Sequence, residues 1–363
     1  MSREFTIVAK EDGTIIDEQD GILIIQYKSG AYDSIDTNKM VRKNASSGFF
    51  IETELKTDKK VGDRVKQNEV IAWNDKNFTK NKDKSVSMNL GTLAKVAVLP
   101  NWDIYEDSAP CTEKLANELA TVMIMHKTVG LDKDTFVQKI VKVGDKVKVG
   151  DALIVFDEFP DDPDAAAFLD ALKDELKEDI IESTINTVKS KYTGVVTDIT
   201  IHSTVELDEL SPSLKNIVSS YYNKLKKKDK FLEKYKNEGD TKFYKCNQLL
   251  TEAASKIEAD YQGKIKGETV NEGILITFYI KFTDIVSTGD KIVQRAALKS
   301  IISHVIEKGY EPFTENNPEE EISTIISPLS ISARKTPSIF YDMFTNKLLI
   351  NLKKQLKEDY YKD

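Results

Sequence analysis

Cysteine and histidine are scarce in this sequence. It holds two cysteines, Cys111 and Cys246, and three histidines, His126, His202 and His304. The cysteines form no CxxC pair, and the histidines have no metal-ligand spacing. These absences argue against a disulfide scaffold and a structural zinc site, and they favour a reducing compartment.

Long apolar runs and self-contained catalytic motifs are also missing. No stretch approaches the ~20 apolar residues of a membrane helix, and the beginning of the sequence has no signal-peptide core. A P-loop, a GxSxG elbow and an HExxH helix are all absent. The sequence therefore predicts no membrane association and no active site that is complete within this chain.

The charge of the chain is concentrated in one segment. The formal net charge is −8. Residues 157–182 contain eleven acids and two lysines, a net of −9, so the remaining residues sum to −8 + 9 = +1. An acidic segment on an otherwise balanced chain does not exclude a basic cleft elsewhere.

A turn motif recurs along a chain that otherwise alternates as β structure. Val61-Gly62-Asp63-Arg64-Val65 and Val143-Gly144-Asp145-Lys146-Val147 each precede a second turn and an apolar strand, and Thr288-Gly289-Asp290-Lys291-Ile292 is a weaker copy. Glycine tolerates the positive φ of such turns. The repeat predicts compact barrel-like sandwiches. Generic hairpins and a biotinyl or lipoyl carrier stay open, although no convincing lysine-bearing hairpin tip is present.

Helical patterns are predicted in three places. An acidic helix is predicted over 163–182, with the apolar residues Phe168, Leu169, Leu172 and Leu176 on one face. A helical hairpin is predicted over 211–262, opened by Ser211 as a cap, and it carries a basic run from Lys224 to Lys230. The last ~25 residues also have helical spacing.

Three local clusters hold side chains suited to phosphate chemistry. Glu106 and Asp107 follow an aromatic-rich turn. Lys291 and Lys299 lie eight residues apart, and Arg334 ends the proline-marked segment ISPLSISAR, which we expect to be a loop. Taken singly, each of these charges is typical of a solvated surface.

Seven segments in collinear order resemble the second half of the β subunit of multi-subunit, DNA-dependent RNA polymerases. They span roughly residues 5 to 340 and read VAKEDGTIIDEQDGILII, VGDRVKQNEVIA, LAKVAVLPNWDIYEDSAPCTEKLAN, VGDKVKVGDALI, KYTGVVTDITIHS, GDKIVQRAALKSIISHVI and IISPLSISARKTPSI. The resemblance implies an α+β, β-rich fold, with a barrel/sandwich-hybrid core and a flap-like insertion that carries helices. The implied division is 1–110, 111–272 and 273–363.

The resemblance also implies roles for particular residues. Lys291 and Lys299 match lysines that contact the RNA 3′ end and the incoming nucleotide, Arg334 matches an arginine facing the triphosphate, and Arg295 is a further basic residue of the loop that carries the two lysines. Glu106 and Asp107 match carboxylates near the second Mg²⁺ that act through water, because the primary ligands belong to the β′ partner.

The partners implied are an amino-terminal β half, β′-like subunits, DNA template, RNA and nucleoside triphosphates. The apolar face of helix 163–182 corresponds to the flap tip that docks a sigma-like promoter-specificity factor, and packing of that helix on its own domain is the alternative. Split subunits of this kind resemble those of large-genome bacteriophages, which implies the host cytoplasm and leaves packaging in the virion open.

Departures from the family pattern bear on the site. Its R-H-G-N-K-G segment is Arg295-Ala296-Ala297-Leu298-Lys299-Ser300 here, and the Asn and Gly of N-P-L-G are Ser327 and Ser330. These changes predict altered loop shapes. A non-catalytic structural or virion protein of polymerase ancestry stays open as an alternative.

Overall fold

The computed structural model describes most of the 363 residues. The described ranges are 6–43, 50–89, 91–102, 104–157, 185–237, 246–247, 249–250, 272–295 and 298–360. The predicted acidic helix 163–182, with Phe168, Leu169, Leu172 and Leu176, lies outside them, as does most of the second helix of the predicted hairpin. Within these ranges, no helix combines the length and apolarity needed to cross a bilayer.

The described elements are mostly short strands. In chain order they are β1 (Thr6–Val8), β2 (Gly13–Gln19), β3 (Ile22–Tyr27), β4 (Tyr32–Asp36), β5 (Met40–Lys43), β6 (Phe50–Thr53), β7 (Lys56–Thr57), β8 (Arg64–Val65), β9 (Val70–Trp73), β10 (Phe78–Lys80), β11 (Val86–Met88), β12 (Val96–Val98), β13 (Ser108–Thr112), β14 (Thr121–Asp132), β15 (Phe136–Ile140), β16 (Lys146–Val147), β17 (Ala152–Asp157), β18 (Ile185–Lys189), β19 (Gly194–Ser203), β20 (Gly273–Asp284), β21 (Lys291–Gln294), β22 (Leu298–Ile306), β23 (Phe313–Thr314), β24 (Asn317–Glu321) and β25 (Thr324–Ile326). The helices are α1 (Glu113–Glu118), α2 (Pro212–Glu233), α3 (Pro328–Ala333) and α4 (Ser338–Tyr360), with a 3₁₀ turn at Leu207–Glu209. The predicted β-rich α+β class is confirmed.

The chain divides into two units, each assembled from two separate stretches. Unit 1 comprises Met1–Leu90 and Val122–Phe282, and unit 2 comprises Gly91–Thr121 and Thr283–Asp363. The division predicted at 110/111 and 272/273 concerns functional regions and stays a prediction.

Unit 1 contains several small sheets. The largest has the order β16-β19-β20-β14-β6-β5, and the others are β4-β3-β2-β8, β1-β9-β7, β15-β17-β18 and β10-β11. Fully buried side chains such as Phe278 and Val196 form the core against the large sheet, and Ile15, Leu23 and Ile71 form a second core. Strands β3 and β20 are buried at nearly every position over most of their length, as their continuous apolar runs predict.

The repeated turn has the same geometry in all three copies. Gly62, Gly144 and Gly289 have φ of 95°, 99° and 95°. In each copy the following aspartate accepts the backbone N–H of the residue three positions earlier, at 2.8 Å. The turn is therefore a local unit, closed by one carboxylate and one left-handed glycine. The predicted positive φ of the turn glycine is confirmed in all three copies.

Helix α2 begins where its capping residue predicts. The Ser211 side chain accepts the Leu214 N–H, and Pro212 occupies the first turn. Leu214 and Val218 are fully buried against the large sheet of unit 1. The long helix thus packs on this core through one apolar side.

Unit 2 is built on one five-stranded sheet with the order β12-β25-β13-β22-β21. Strand β13 is parallel to β22, while β21 and β22 form an antiparallel hairpin. A core of five buried residues joins the sheet to helices α3 and α4: Ala109, Leu298, Ile326, Ile331 and Ile339. All six predicted site residues outside the acidic helix belong to this unit.

Candidate functional site

Lys291 and Lys299 lie on the same face of the β21–β22 hairpin. Lys291 is directly opposite Ile301, and Val293 is directly opposite Lys299. Opposite residues and residues two apart share a face of a sheet, so these four side chains point to one side. That side is exposed at all four positions, whereas Leu298 and Ser300 on the other face are buried.

Lys291 and Lys299 form a diagonal pair across the hairpin as a result. Diagonal pairs across antiparallel strands are about 7–8 Å apart, within the combined reach of two lysine side chains. The resemblance implies a loop for this segment, but both lysines stand on strands. The strand register therefore fixes their common orientation.

Asp107 is attached directly to this hairpin. Its carbonyl oxygen accepts the Ile301 N–H at 2.7 Å. Ile301 is the residue opposite Lys291 and lies two positions after Lys299. The turn before β13 is therefore hydrogen-bonded to β22 next to both lysines. Asp107 has φ of 50°, a left-handed conformation that aspartate adopts more readily than most residues.

Arg334 forms an ion pair with Asp107. Its Nη2 atom lies 2.8 Å from Asp107 Oδ1, and the two side chains are 33% and 49% exposed. The pair joins the end of helix α3 to the turn before β13. Neither side chain is buried, so solvent reaches both members of the pair.

The segment predicted as a loop before Arg334 is instead the short helix α3. Ser327 caps it by accepting the Leu329 N–H at 3.2 Å, and Pro328 stands in the first turn. Serine and asparagine are both strong N-cap residues, so Ser327 can supply the cap that the family's asparagine would supply. The prediction of a loop was wrong because a cap followed by proline starts a helix as readily as it starts a turn.

Ser330 is a site residue that the sequence reasoning did not select. It is 2% exposed, and its hydroxyl accepts the Asp107 N–H at 3.1 Å. The family pattern has glycine here, which cannot make this bond. That departure was the available signal, and it acquires a meaning only because α3 folds beside the Asp107 turn.

Arg295 and Glu106 are placed differently. Arg295 Nε lies 3.4 Å from Asp342 Oδ2 on helix α4, and the Arg295 side chain is 69% exposed. Glu106 is exposed and immediately precedes Asp107. The structure thus brings Asp107 and Arg334 together, and places Lys291 and Lys299 side by side, while it directs Arg295 towards α4.

A metal ion would find few ligands here. In the described part of the chain, no group of three or more His, Cys, Asp or Glu side chains is arranged to hold a metal. Of the two site carboxylates, Asp107 is already paired with a guanidinium. Mg²⁺ prefers octahedral oxygen ligands and keeps several waters. Glu106 and Asp107 could therefore contact a magnesium ion through its waters, but they do not form a primary binding site.

Helix α4 is held to the same unit by a charged contact. Glu320 of β24 accepts from Lys354 of α4 at 2.9 Å and pairs with Lys95. Hydrogen bonds from these two lysines lower the pKa of the Glu320 carboxyl to about 2. The Glu320 carboxylate is therefore ionised at neutral pH, and the contact is intact there.

Comparison with known proteins gives one family. The family model RNA polymerase Rpb2, domain 6, matches residues 94–362, a range that includes all six site residues of unit 2. No match was found among curated proteins. This chain therefore belongs to the RNA polymerase Rpb2, domain 6 family, and it is a β-type subunit of a multi-subunit RNA polymerase that works with other subunits and nucleic acid.

Proposed function

We propose that unit 2 forms the nucleotide-facing wall of the active site in template-directed RNA synthesis. Lys291 and Lys299 bind phosphate oxygens of the RNA 3′ end and of the incoming nucleotide. Arg334 binds the triphosphate, and Glu106 and Asp107 orient water at the metal-bound end. Phosphoryl transfer spreads negative charge over the transferred group, and fixed cations stabilise that charge.

The observation that carries this proposal is a continuous series of contacts that connects the site residues within unit 2. The exposed lysine face includes Ile301, the Ile301 N–H bonds Asp107, and Asp107 bonds Arg334. Residues separated by more than 200 positions are thereby held on connected elements. Such positioning supports a site that recognises several phosphate oxygens at once.

The Arg334–Asp107 pair suits exchange with a substrate. Solvent-accessible ion pairs contribute about 0–1 kcal/mol, so a triphosphate displaces the carboxylate at little cost. A guanidinium can bind two phosphate oxygens in parallel. Asp107 then acts as the group that holds Arg334 in place before the nucleotide arrives.

Mg²⁺, held mainly by the β′ partner, would neutralise phosphate charge and align the reacting groups. This chain's own residues bind phosphate, order water and exclude alternative orientations. Because the resemblance assigns the primary metal ligands to the β′ partner, we propose that this chain is inactive until it is assembled.

The finer identity is also a proposal. We infer a carboxy-terminal β half of a split bacteriophage enzyme, acting in the host cytoplasm with an amino-terminal β half and β′-like subunits. The apolar residues Phe168, Leu169, Leu172 and Leu176 would dock a sigma-like factor. The seven collinear motifs and the family match support the polymerase origin on which these inferences rest.

The test compares charge removal inside and outside the site. The assembly is purified with a tagged copy of this chain that carries Lys291→Ala, Lys299→Ala or Arg334→Ala, and single-nucleotide extension of a primed template is measured. We expect at least tenfold slower extension with each variant, while the partners still co-purify. Lys308→Ala, which removes an exposed lysine of the same unit, serves as the control.

Normal extension by all three variants would remove the active-site role and favour the non-catalytic alternative. Co-purification decides a separate question. A β′-like chain recovered with the tagged subunit supports the assembly, whereas its absence contradicts the proposed partners.

A further inference from the structure

Helix α2 of unit 1 is fixed along one side at both of its ends. Near its start, Leu214, Val218 and Tyr222 are buried in the core of the large sheet. Near its end, Phe231 and Leu232 are buried in a cluster that includes residues of strand β3. The opposite side of the helix is therefore presented to solvent on a rigid support.

Four lysines occupy that opposite side. With 3.6 residues per turn, positions 226, 227, 230 and 234 fall within an arc of about 100°. Lys226, Lys227, Lys230 and Lys234 are all exposed, and we call them the lysine stripe. The stripe is about 12 Å long, since the rise is about 1.5 Å per residue.

The lysine stripe is not neutralised by the described part of the protein. The ion pairs of α2 there are Lys215 with Asp208, at 2.6 Å, and Lys228 with the buried Asp36, at 2.6 Å. Neither pair uses a stripe lysine. Two acids lie next to the stripe in sequence. Among the described residues Asp229 forms no ion pair with a stripe lysine, and Glu233 lies 4.0 Å from Lys236 beyond the helix end.

Unneutralised charges at this spacing repel one another. Lys226 and Lys230, and Lys230 and Lys234, are four residues apart, and like charges at that spacing destabilise a helix. A bound polyanion would relieve this repulsion. The net charge of −8 for the whole chain means that the stripe is a local feature and does not follow from a generally basic surface.

We propose that the lysine stripe binds the phosphate backbone of nucleic acid. A stretch of about 12 Å along the axis of a duplex holds three or four phosphates of one strand, at one phosphate per ~3.4 Å of axis. Lysine ammonium groups are compact point charges, suited to phosphates and indifferent to base sequence. The stripe thus gives this β-type subunit a sequence-independent binding surface that shares no residue with the proposed active site.

The test uses the purified full-length chain and does not require catalysis. Binding is followed by fluorescence anisotropy with labelled 20-nucleotide RNA and with a 20-base-pair DNA duplex, over a series of salt concentrations. The variant Lys226→Gln/Lys227→Gln/Lys230→Gln is compared with Lys142→Gln/Lys146→Gln/Lys148→Gln. The second variant removes the same charge from exposed positions of unit 1 that lie around another turn.

We expect the stripe variant to reduce the slope of log K against log salt by about two for RNA, at ~0.7 for each phosphate that the protein no longer neutralises. If the parent and the variant bind equally at ~1 M salt, a slope change of two makes the variant about 100-fold weaker at ~0.1 M salt. The control variant should retain nearly the parent affinity. Tighter binding of the RNA would identify a single strand as the source of the phosphates, and tighter binding of the DNA would identify a duplex.

Equal losses of affinity in both triple variants would mean that only overall charge matters, and the proposal would be wrong. An unchanged slope in the stripe variant would overturn it as well. Tighter binding of a 20-residue polyglutamate peptide than of either nucleic acid would assign the stripe to an acidic protein partner instead. None of these outcomes depends on Lys291, Lys299 or Arg334, so the active-site proposal is tested separately.

Discussion

Replacing Ser330 by alanine tests whether the buried hydroxyl positions the site. The hydroxyl accepts the Asp107 N–H at 3.1 Å in a residue that is 2% exposed. Alanine removes the acceptor and leaves the N–H without this partner. The bond is partly buried, so the unsatisfied donor costs about 1 kcal/mol, at the low end of the range for buried donors, and the better helix propensity of alanine offsets a few tenths of a kcal/mol.

The loss should appear in nucleotide binding. Asp107 holds the Arg334 guanidinium, so a looser Asp107 turn leaves Arg334 less ordered before the triphosphate arrives. If about 1 kcal/mol of the cost falls on this step, KM for the nucleotide rises about fivefold. The maximal extension rate should change less, because Ser330 does not touch the reacting groups.

The assay is single-nucleotide extension by the purified assembly at a series of nucleotide concentrations. Ser332→Ala is the matched control, since it removes an exposed serine hydroxyl from the same helix α3. A parent-like KM for Ser330→Ala, together with a raised KM for Arg334→Ala, would refute the positioning role of Ser330. A parent-like KM for both variants would instead refute the proposed role of Arg334.

Two further predictions concern the stability of unit 1. The hydrogen bond to Asp17, followed by burial, raises the pKa of Tyr235 from its usual value of 10.0 to about 12. Because the folded-state pKa is the higher one, the stabilisation is complete below pH 10 and is lost as the pH rises towards 12. The difference in urea unfolding free energy between the parent and Tyr235→Phe should therefore shrink across that window, and a constant difference would contradict the assignment. Gly144→Ala should cost about 1–2 kcal/mol in urea unfolding, because φ there is 99° although an added Cβ meets open space. Gly273→Ala should cost more, since its Cβ would lie 2.1 Å from the Leu131 carbonyl oxygen. The reverse order would show that backbone strain outweighs the close approach.

Short-range chemistry explains what the sequence alone determined. The three Gly-Asp turns are closed by bonds that span three residues, and the Ser211 cap acts on Leu214. Such bonds join residues only three positions apart, so the local sequence is enough to predict them. The same holds for α4, which the sequence predicts as a helix although only Ile339 of it is fully buried. The resemblance to the polymerase β subunit identified candidate site residues of unit 2 but did not give their positions in space.

Tertiary structure alone decided how the site is assembled. The orientation of Lys291 and Lys299 depends on the register of β21 against β22, because a slip of one residue would reverse the face of every side chain in the strand. The bonds from Asp107 to Ser330 and Arg334 depend on α3 folding beside a turn more than 200 residues away in sequence. No local pattern encodes such contacts, since they form only when distant strands pair and a shared core, including Ala109, Leu298 and Ile331, is buried between them.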